Sequence, residues 1–274
     1  MIKIIALVEN TTDKVEYVNK HGLCLYIETS KHKILFDLGP DDTFVKNAEK
    51  MNVDLKEIDV AVLSHGHVDH GGGLNAFLKI NERAKIYARS SAFDKHFIKV
   101  FGIPFSVSID ENVLKSDRVI LTDEKTIIDD ELTLFSFVPT VTPLSKSNNA
   151  LYAMKKGKIA RDDFSHEQNL LIIDGGKTAL ISGCSHNGIA NIIRQATIIR
   201  SAVSVAIGGF HLYNPPTKKY ESDEYIDFVA NELRKSKIRF YTCHCTGQKA
   251  YNRMKPILAD NLNYLRTGDS LIIE

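Results

Sequence analysis

Short apolar runs punctuate the chain from its start. Ile2 to Val8, Leu23 to Glu28 and Lys33 to Phe36 are apolar or β-branched and bounded by polar residues or glycine, so each predicts a strand. The third ends in the turn signal Asp37-Leu38-Gly39-Pro40. Thr43 to Met51 has helical spacing, with Phe44, Val45 and Ala48 on one face. Asp59 to Leu63 predicts a buried strand that runs into Ser64-His65-Gly66-His67. A helix is expected from Gly73 to Leu78 and a strand over Ala84 to Ala88. Ser90 to Lys115 mixes helical and loop character. Val119 to Leu121, Thr126 to Ile128 and Leu132 to Phe137 predict further strands. Pro139 to Asn169 is the least regular stretch, rich in Ser, Asn, Lys and Asp, and reads either as a lid over a site or as a surface hairpin.

The pattern then repeats. Leu170 to Ile173 and Thr178 to Ile181 predict a strand pair joined by Asp174-Gly175-Gly176. Helices are expected over Ile189 to Ile199, Glu221 to Lys235 and from Gly247 to about Leu258, and strands over Val203 to Ile207, Ile238 to Thr242 and Leu271 to Ile273. Four apolar strands thus end in a Gly- or Ser-containing turn that carries histidine, at His65, His186, His211 and His244. In α/β architectures ligands sit beyond the carboxyl ends of strands, so these four turns are expected to converge. The likeness of the segment from Ala61 to Leu78 to that from Ala179 to Ile193 hints at an internal duplication.

Composition narrows the class. Lys plus Arg number 35 against 34 Asp plus Glu, which leaves no global field for nucleic acid or an anionic membrane, and neither is expected as a partner. The opening apolar run is too short for a signal sequence, and no stretch is long enough to span a bilayer. Cys24, Cys184, Cys243 and Cys245 are too few for a disulfide scaffold, so a cytoplasmic protein with reduced thiols is expected. Oligomeric state is not legible.

The strongest chemical signal is His65-x-His67-x-Asp69-His70. Side chains alternate along an extended segment, so His65 and His67 project together and chelate one metal, while Asp69 and His70 reach a second beside it. Imidazole and carboxylate suit zinc and comparable first-row ions; two divalent ions are expected, zinc first, with Mn²⁺ or Fe²⁺ as alternatives. His186, on a strand-exit turn, is expected as a ligand in preference to His166, which lies in irregular sequence. His211 is expected to contact substrate or stabilise an oxyanion, and Asp69 to orient the nucleophile. Cys243 and Cys245 read as packing residues, and His21, His32 and His96 as surface residues.

The segment from Ser64 to Gly73 resembles the signature of the metallo-β-lactamase superfamily, and the resemblance covers nearly the whole chain. It implies an α/β fold, a four-layer αββα sandwich with metals at one edge of its two sheets, as a single domain over residues 1–274. It implies a supporting role for Asp37 behind the metals and a ligand role for His244. Many members carry Gly-Asp where this chain has Gly183-Cys184; a thiolate ligand at Cys184 favours softer ions such as zinc. The turns bearing His186, His211 and His244 are similar to a branch named for dihydropterin-ribofuranosyl-aminobenzene-phosphate synthase. The expected activity is metal-dependent hydrolysis of a small-molecule ester, lactone or phosphoester. The alternatives are a pterin-type synthase with a diphosphate leaving group and a non-catalytic, metal-stabilised binding protein.

Overall fold

The computed structural model describes all residues from Met1 to Glu274. Two seven-stranded sheets dominate it. The first has the order Ser270–Ile273, Ile2–Val8, Cys24–Glu28, Lys33–Phe36, Val60–Val62, Lys85–Arg89, Val119–Thr122. The second runs Leu262–Tyr264, Arg239–Thr242, Val203–Gly208, Lys177–Ile181, Asn169–Asp174, Leu132–Phe135, Lys125–Ile127.

Three apolar cores of similar size, 23, 21 and 20 buried residues, separate four layers. Strand alternation decides which residue serves which core. Along the first strand Ile2, Ile4 and Ala6 face the second sheet, and Ile5 and Leu7 face the helices Thr43–Lys50 and Leu74–Ile80 through Phe44, Ala48, Leu74 and Phe77. On the far side, Leu171, Leu180, Ala206 and Phe240 pack against the helices Ile189–Ile199, Asp223–Arg234 and Gln248–Leu258. Central strands are therefore covered on both faces, which is why they read as near-continuous apolar runs. No helix is long and apolar enough to cross a membrane.

The two sheets share one topology. Starting from Ser270–Ile273 in the first and Lys125–Ile127 in the second, each runs antiparallel across three pairings and parallel across the next three. The duplication is thus visible in the topology, but in a different register from the sequence likeness. Val60–Val62, which leads to His65, corresponds to Val203–Gly208, and Lys33–Phe36 to Lys177–Ile181.

One stretch departs from the sequence expectation, and a second takes one of its two alternatives. Ser90 to Lys115 begins and ends in 3₁₀ turns, Ser90–Phe93 and Glu111–Lys115, but between them it holds two strands the sequence did not predict, His96–Val100 and Ile103–Ser106. These join Leu151–Lys155 and Lys158–Arg161 in a four-stranded sheet, so the stretch from Pro139 to Asn169 contains the hairpin that was one of its two readings, with a short 3₁₀ turn, Lys146–Ala150, before it. Its polar composition fits strands that are only partly buried, where neither face demands an apolar run.

Candidate metal centre

Parallel strands bring their carboxyl ends to one edge of the sandwich, and the polar turns that follow them meet there. Phe36 leads to Asp37, Val62 to Ser64 and His65, Ile181 to Gly183 and Cys184, Gly208 to His211, and Thr242 to His244. Their approach is close. A Cβ on Gly183 would stand 2.2 Å from Ser64 Oγ, so only glycine fits where the two sheets touch. The turns are also strained. Asp37, Ser185, His211 and His244 all have φ between 50° and 60°, a left-handed conformation that non-glycine residues hold only where their surroundings over-determine it.

His65, His67 and His186 form one group, with ring centroids 4.6, 4.9 and 5.1 Å apart. All three are buried, and the Nε2 of each has no hydrogen-bond partner. Orphaned buried polar atoms are rare, and three converging ones mark a place for a ligand. Burial, then the neighbouring histidines, holds all three rings below their ordinary pKa, so each offers a lone pair. His65 Nδ1 donates to Ser64 Oγ at 2.8 Å, and that hydroxyl in turn donates to Asp37 Oδ2 at 2.7 Å.

A second group adjoins it. His70 Nε2 lies 3.1 Å from His244 Nε2 and 3.2 Å from Cys184 Sγ, and Asp69 Oδ2 lies 3.2 Å from His244 Nε2. The Nδ1 of His70 donates to Asp37 Oδ2 at 2.6 Å, which turns its Nε2 lone pair toward the group. Burial would raise the Asp69 pKa, but His70 and hydrogen bonds from His21 and His244 hold its carboxyl well below the usual range. His65, His70 and Cys184 also lie within ligating distance of one another, so the two groups share an edge. The donor set of neutral imidazoles, one carboxylate and one thiol fits first-row divalent cations.

The structure brings together every residue singled out in the sequence as a metal candidate: His65, His67, Asp69, His70, Cys184, His186 and His244. His211 lies beside them, its ring 4.2 Å from that of His186 and both its nitrogens unpartnered. His166 is otherwise engaged. Its Nδ1 accepts the Gly66 N–H at 2.9 Å and its Nε2 donates to Asp162 at 3.1 Å.

Three expectations need correction. His96 is buried, not on the surface; it shares the Asp162 carboxylate with His166, because the unrecognised strand His96–Val100 carries it inward. His21 is exposed but belongs to the site, 3.3 Å from Asp69 and tilted against His244. Cys243 packs between the sheets as expected, whereas Cys245 lines the site, its sulfur accepting the His211 N–H at 3.3 Å. The 3₁₀ turn His244–Thr246 rotates it away from the core. Sequence reading also passed over Glu9, Asn10, Asn148 and Glu167, which contact His186 and His244. Their only signal was polarity just beside strand ends.

The groups open into a cavity of about 280 Å³. Its walls include Val68, Ile98, Leu151, Tyr213 and Pro215, and no lysine or arginine.

A model of the metallo-beta-lactamase superfamily matches residues 19–145. A solved structure described as a metal-dependent hydrolase of the beta-lactamase superfamily superposes with a TM-score of 0.85, at 25% identity, covering 100% of both chains. The chain has the metallo-β-lactamase fold and resembles that superfamily along its whole length. Two relatives come from Methanocaldococcus jannaschii. An uncharacterised protein is 29% identical over 98% of each chain. A 7,8-dihydropterin-6-methyl-4-(beta-D-ribofuranosyl)-aminobenzene-5'-phosphate synthase is 28% identical over 97% of this chain and 95% of its own. Metallo-β-lactamase proteins typically bind divalent metals, and the histidine and aspartate groups here are suited to them.

Proposed function

We propose that this protein is a two-metal hydrolase of small-molecule esters, lactones or phosphoesters. The observation that carries the reading is the convergence of three orphaned imidazole nitrogens beside a second histidine, carboxylate and thiol group, open to a small cavity. In this reading His65, His67 and His186 hold one divalent ion, zinc for preference, and Asp69, His70, His244 and Cys184 hold another. When bound, such a pair supplies Lewis acidity, lowering the pKa of water and polarising a substrate oxygen.

The chain's own groups supply the rest. Asp69 lines the cavity, and its ionised carboxylate accepts a hydrogen bond from the attacking water and fixes its direction. His211 faces the cavity with free ring nitrogens and donates to negative charge developing on the substrate. Val68, Ile98, Leu151 and Tyr213 surround an apolar substrate body and exclude water. With no lysine or arginine in the wall, anionic parts of a substrate must lie against the ions. We place the protein in the cytoplasm, without nucleic-acid or membrane partners.

Purified protein never exposed to chelator is expected to carry about two divalent ions per chain and to hydrolyse a phosphodiester or ester reporter. Asp69→Ala is expected to lower kcat about 100-fold or more while the fold persists. Absence of metal in every preparation would defeat the proposal. The similarity to a named synthase supports a second reading, in which an amine attacks in place of water. No turnover of any reporter, with consumption of a dihydropterin diphosphate only when an arylamine is present, selects it.

A further inference from the structure

His186 and His244 stand in different groups of the site and follow different strands, yet they are held in the same way. A buried glutamate accepts the backbone N–H of each histidine: Glu167 Oε1 from His186 at 2.6 Å and Glu9 Oε1 from His244 at 2.6 Å. An asparagine then meets each histidine at two points. Asn148 Oδ1 lies 3.0 Å from His186 Nδ1 while its Nδ2 donates to the His186 carbonyl at 2.8 Å. Asn10 Oδ1 lies 2.8 Å from His244 Nδ1 while its Nδ2 donates to the His244 carbonyl at 3.2 Å.

This two-point contact decides where the ring protons are. A backbone carbonyl only accepts, so the end of each carboxamide that faces it is the NH₂ group. The other end, facing the ring, is the oxygen. At Asn10 the Gly22 N–H also donates to that oxygen, at 3.2 Å. An oxygen facing Nδ1 requires the proton on Nδ1, which leaves the Nε2 lone pair free. For His186 that lone pair is one of the orphaned atoms, and Phe164, stacked on the ring at 4.5 Å, fixes its plane. For His244 the Nε2 faces the second group, with His70 Nε2 at 3.1 Å and the Asp69 carboxylate at 3.2 Å.

We infer that Asn148 and Asn10, each backed by a buried glutamate, are positioning residues that lock His186 and His244 as Nδ1–H tautomers, one for each metal position. The glutamates fix the backbone and the asparagines fix the ring. The glutamates are costly to bury and are retained by several donors each. Glu9 also takes the Thr11 N–H and the Tyr264 hydroxyl, and Glu167 the Asn187 N–H and side-chain amide. Outer-shell partners of this kind set ligand tautomer and basicity. The inference rests on the metal reading above for its purpose, but the tautomers exist without metal and are measured without it.

The test uses the full-length chain with ¹⁵N-labelled histidine, stripped of metal, followed by titration with zinc alone. In the wild type, long-range ¹⁵N–¹H correlation spectra should show His186 and His244 protonated at Nδ1. Asn148→Leu should shift His186 alone toward the Nε2–H form common in free imidazole, and Asn10→Leu should shift His244 alone. Each variant should bind one of its two zinc ions about 10- to 100-fold more weakly. Asn148→Asp and Asn10→Asp keep an oxygen facing Nδ1 and should recover the tautomer and most of the affinity. A wild-type His186 or His244 that lacks a proton on Nδ1 overturns the inference, even if the leucine variants fail to fold. So does unchanged affinity for both ions in both folded leucine variants. A wild-type chain with both Nδ1–H rings that binds no zinc overturns the metal reading, and with it the role of the asparagines. Two bound ions with Nε2–H rings overturn the inference alone.

Discussion

At the scale of single residues, the site is decided by which nitrogens are already engaged. His166 and His186 both lie near His65 and His67, with ring centroids within 6 Å. Distance alone does not separate them, but hydrogen bonding does. His166 has an acceptor role at Gly66 and a donor role at Asp162, whereas His186 has one nitrogen free. His186→Ala is therefore expected to lose one bound ion and nearly all activity. His166→Ala leaves the Gly66 N–H without its acceptor and Asp162 short of a donor. It should cost about 1–3 kcal/mol of stability with both ions retained. Paired metal analysis and urea denaturation of the two variants decide this, and full occupancy in His186→Ala with loss in His166→Ala would reverse the roles. The preference for His186 was available in the sequence, because glycines around it mark a tight strand-exit turn. The engagement of His166 was not, because its partner Asp162 sits in a hairpin whose polar strands give no periodic signal.

At the scale of elements, reading succeeded where burial imposes a pattern. The helix Ile189–Ile199 falls where its spacing predicts, and the two Gly175-Gly176 turn residues both have positive φ, as a two-residue hairpin requires. It failed for Ile103–Ser106, every residue of which is exposed, and left the hairpin that includes Lys158–Arg161 as one of two alternatives, because a strand with little buried surface carries no apolar alternation. The equally unread strand His96–Val100 holds His96 and the cavity-wall residue Ile98, so an error about an element became an error about residues. The contact between strand ends was also invisible in sequence. Gly183 in the second sheet touches Ser64 in the first, and Ser64 links Asp37 to His65. Gly183→Ala should push Ser64 and His65 aside, destabilising the fold by about 1–3 kcal/mol and weakening metal binding together. Thermal unfolding and zinc titration of the variant check both effects, and unchanged zinc affinity would show that the strand contact does not support the ligands.

At the scale of the whole molecule, two sheets of one topology close over a centre that gathers histidines from both. That arrangement has a thermodynamic consequence when metal is removed. Burial, followed for three of them by repulsion from neighbouring rings, holds His65, His67 and His186 below the ordinary histidine value, and burial does the same to His166. Once unfolded, each takes up a proton near pH 6.5. Below that pH the unfolded chain therefore binds more protons than the folded chain at these four positions, and stability falls as pH falls. Each contributes up to about 1.4 kcal/mol per pH unit while its folded form stays neutral. His70 opposes them: burial would lower its pKa, but Asp37 and Asp69 raise it, so its contribution is greatest at low pH and is lost as pH rises through its folded value. Below pH 6.5 His70 is protonated in both states and adds no slope, so the net slope there is positive; above pH 6.5 His70 alone makes stability decline as pH rises toward its folded value. Asp69 and Asp162, both held below the usual carboxylate range, extend the loss once pH falls below about 4. Urea midpoints of chelator-treated protein should thus be highest near pH 6.5 to 7, decline modestly above that as His70 loses its proton, and drop steeply from pH 6.5 to 5. His166→Ala should show a shallower drop than the wild type. Stability that stays level or rises toward pH 5 would mean that the histidines are not buried together in the metal-free chain.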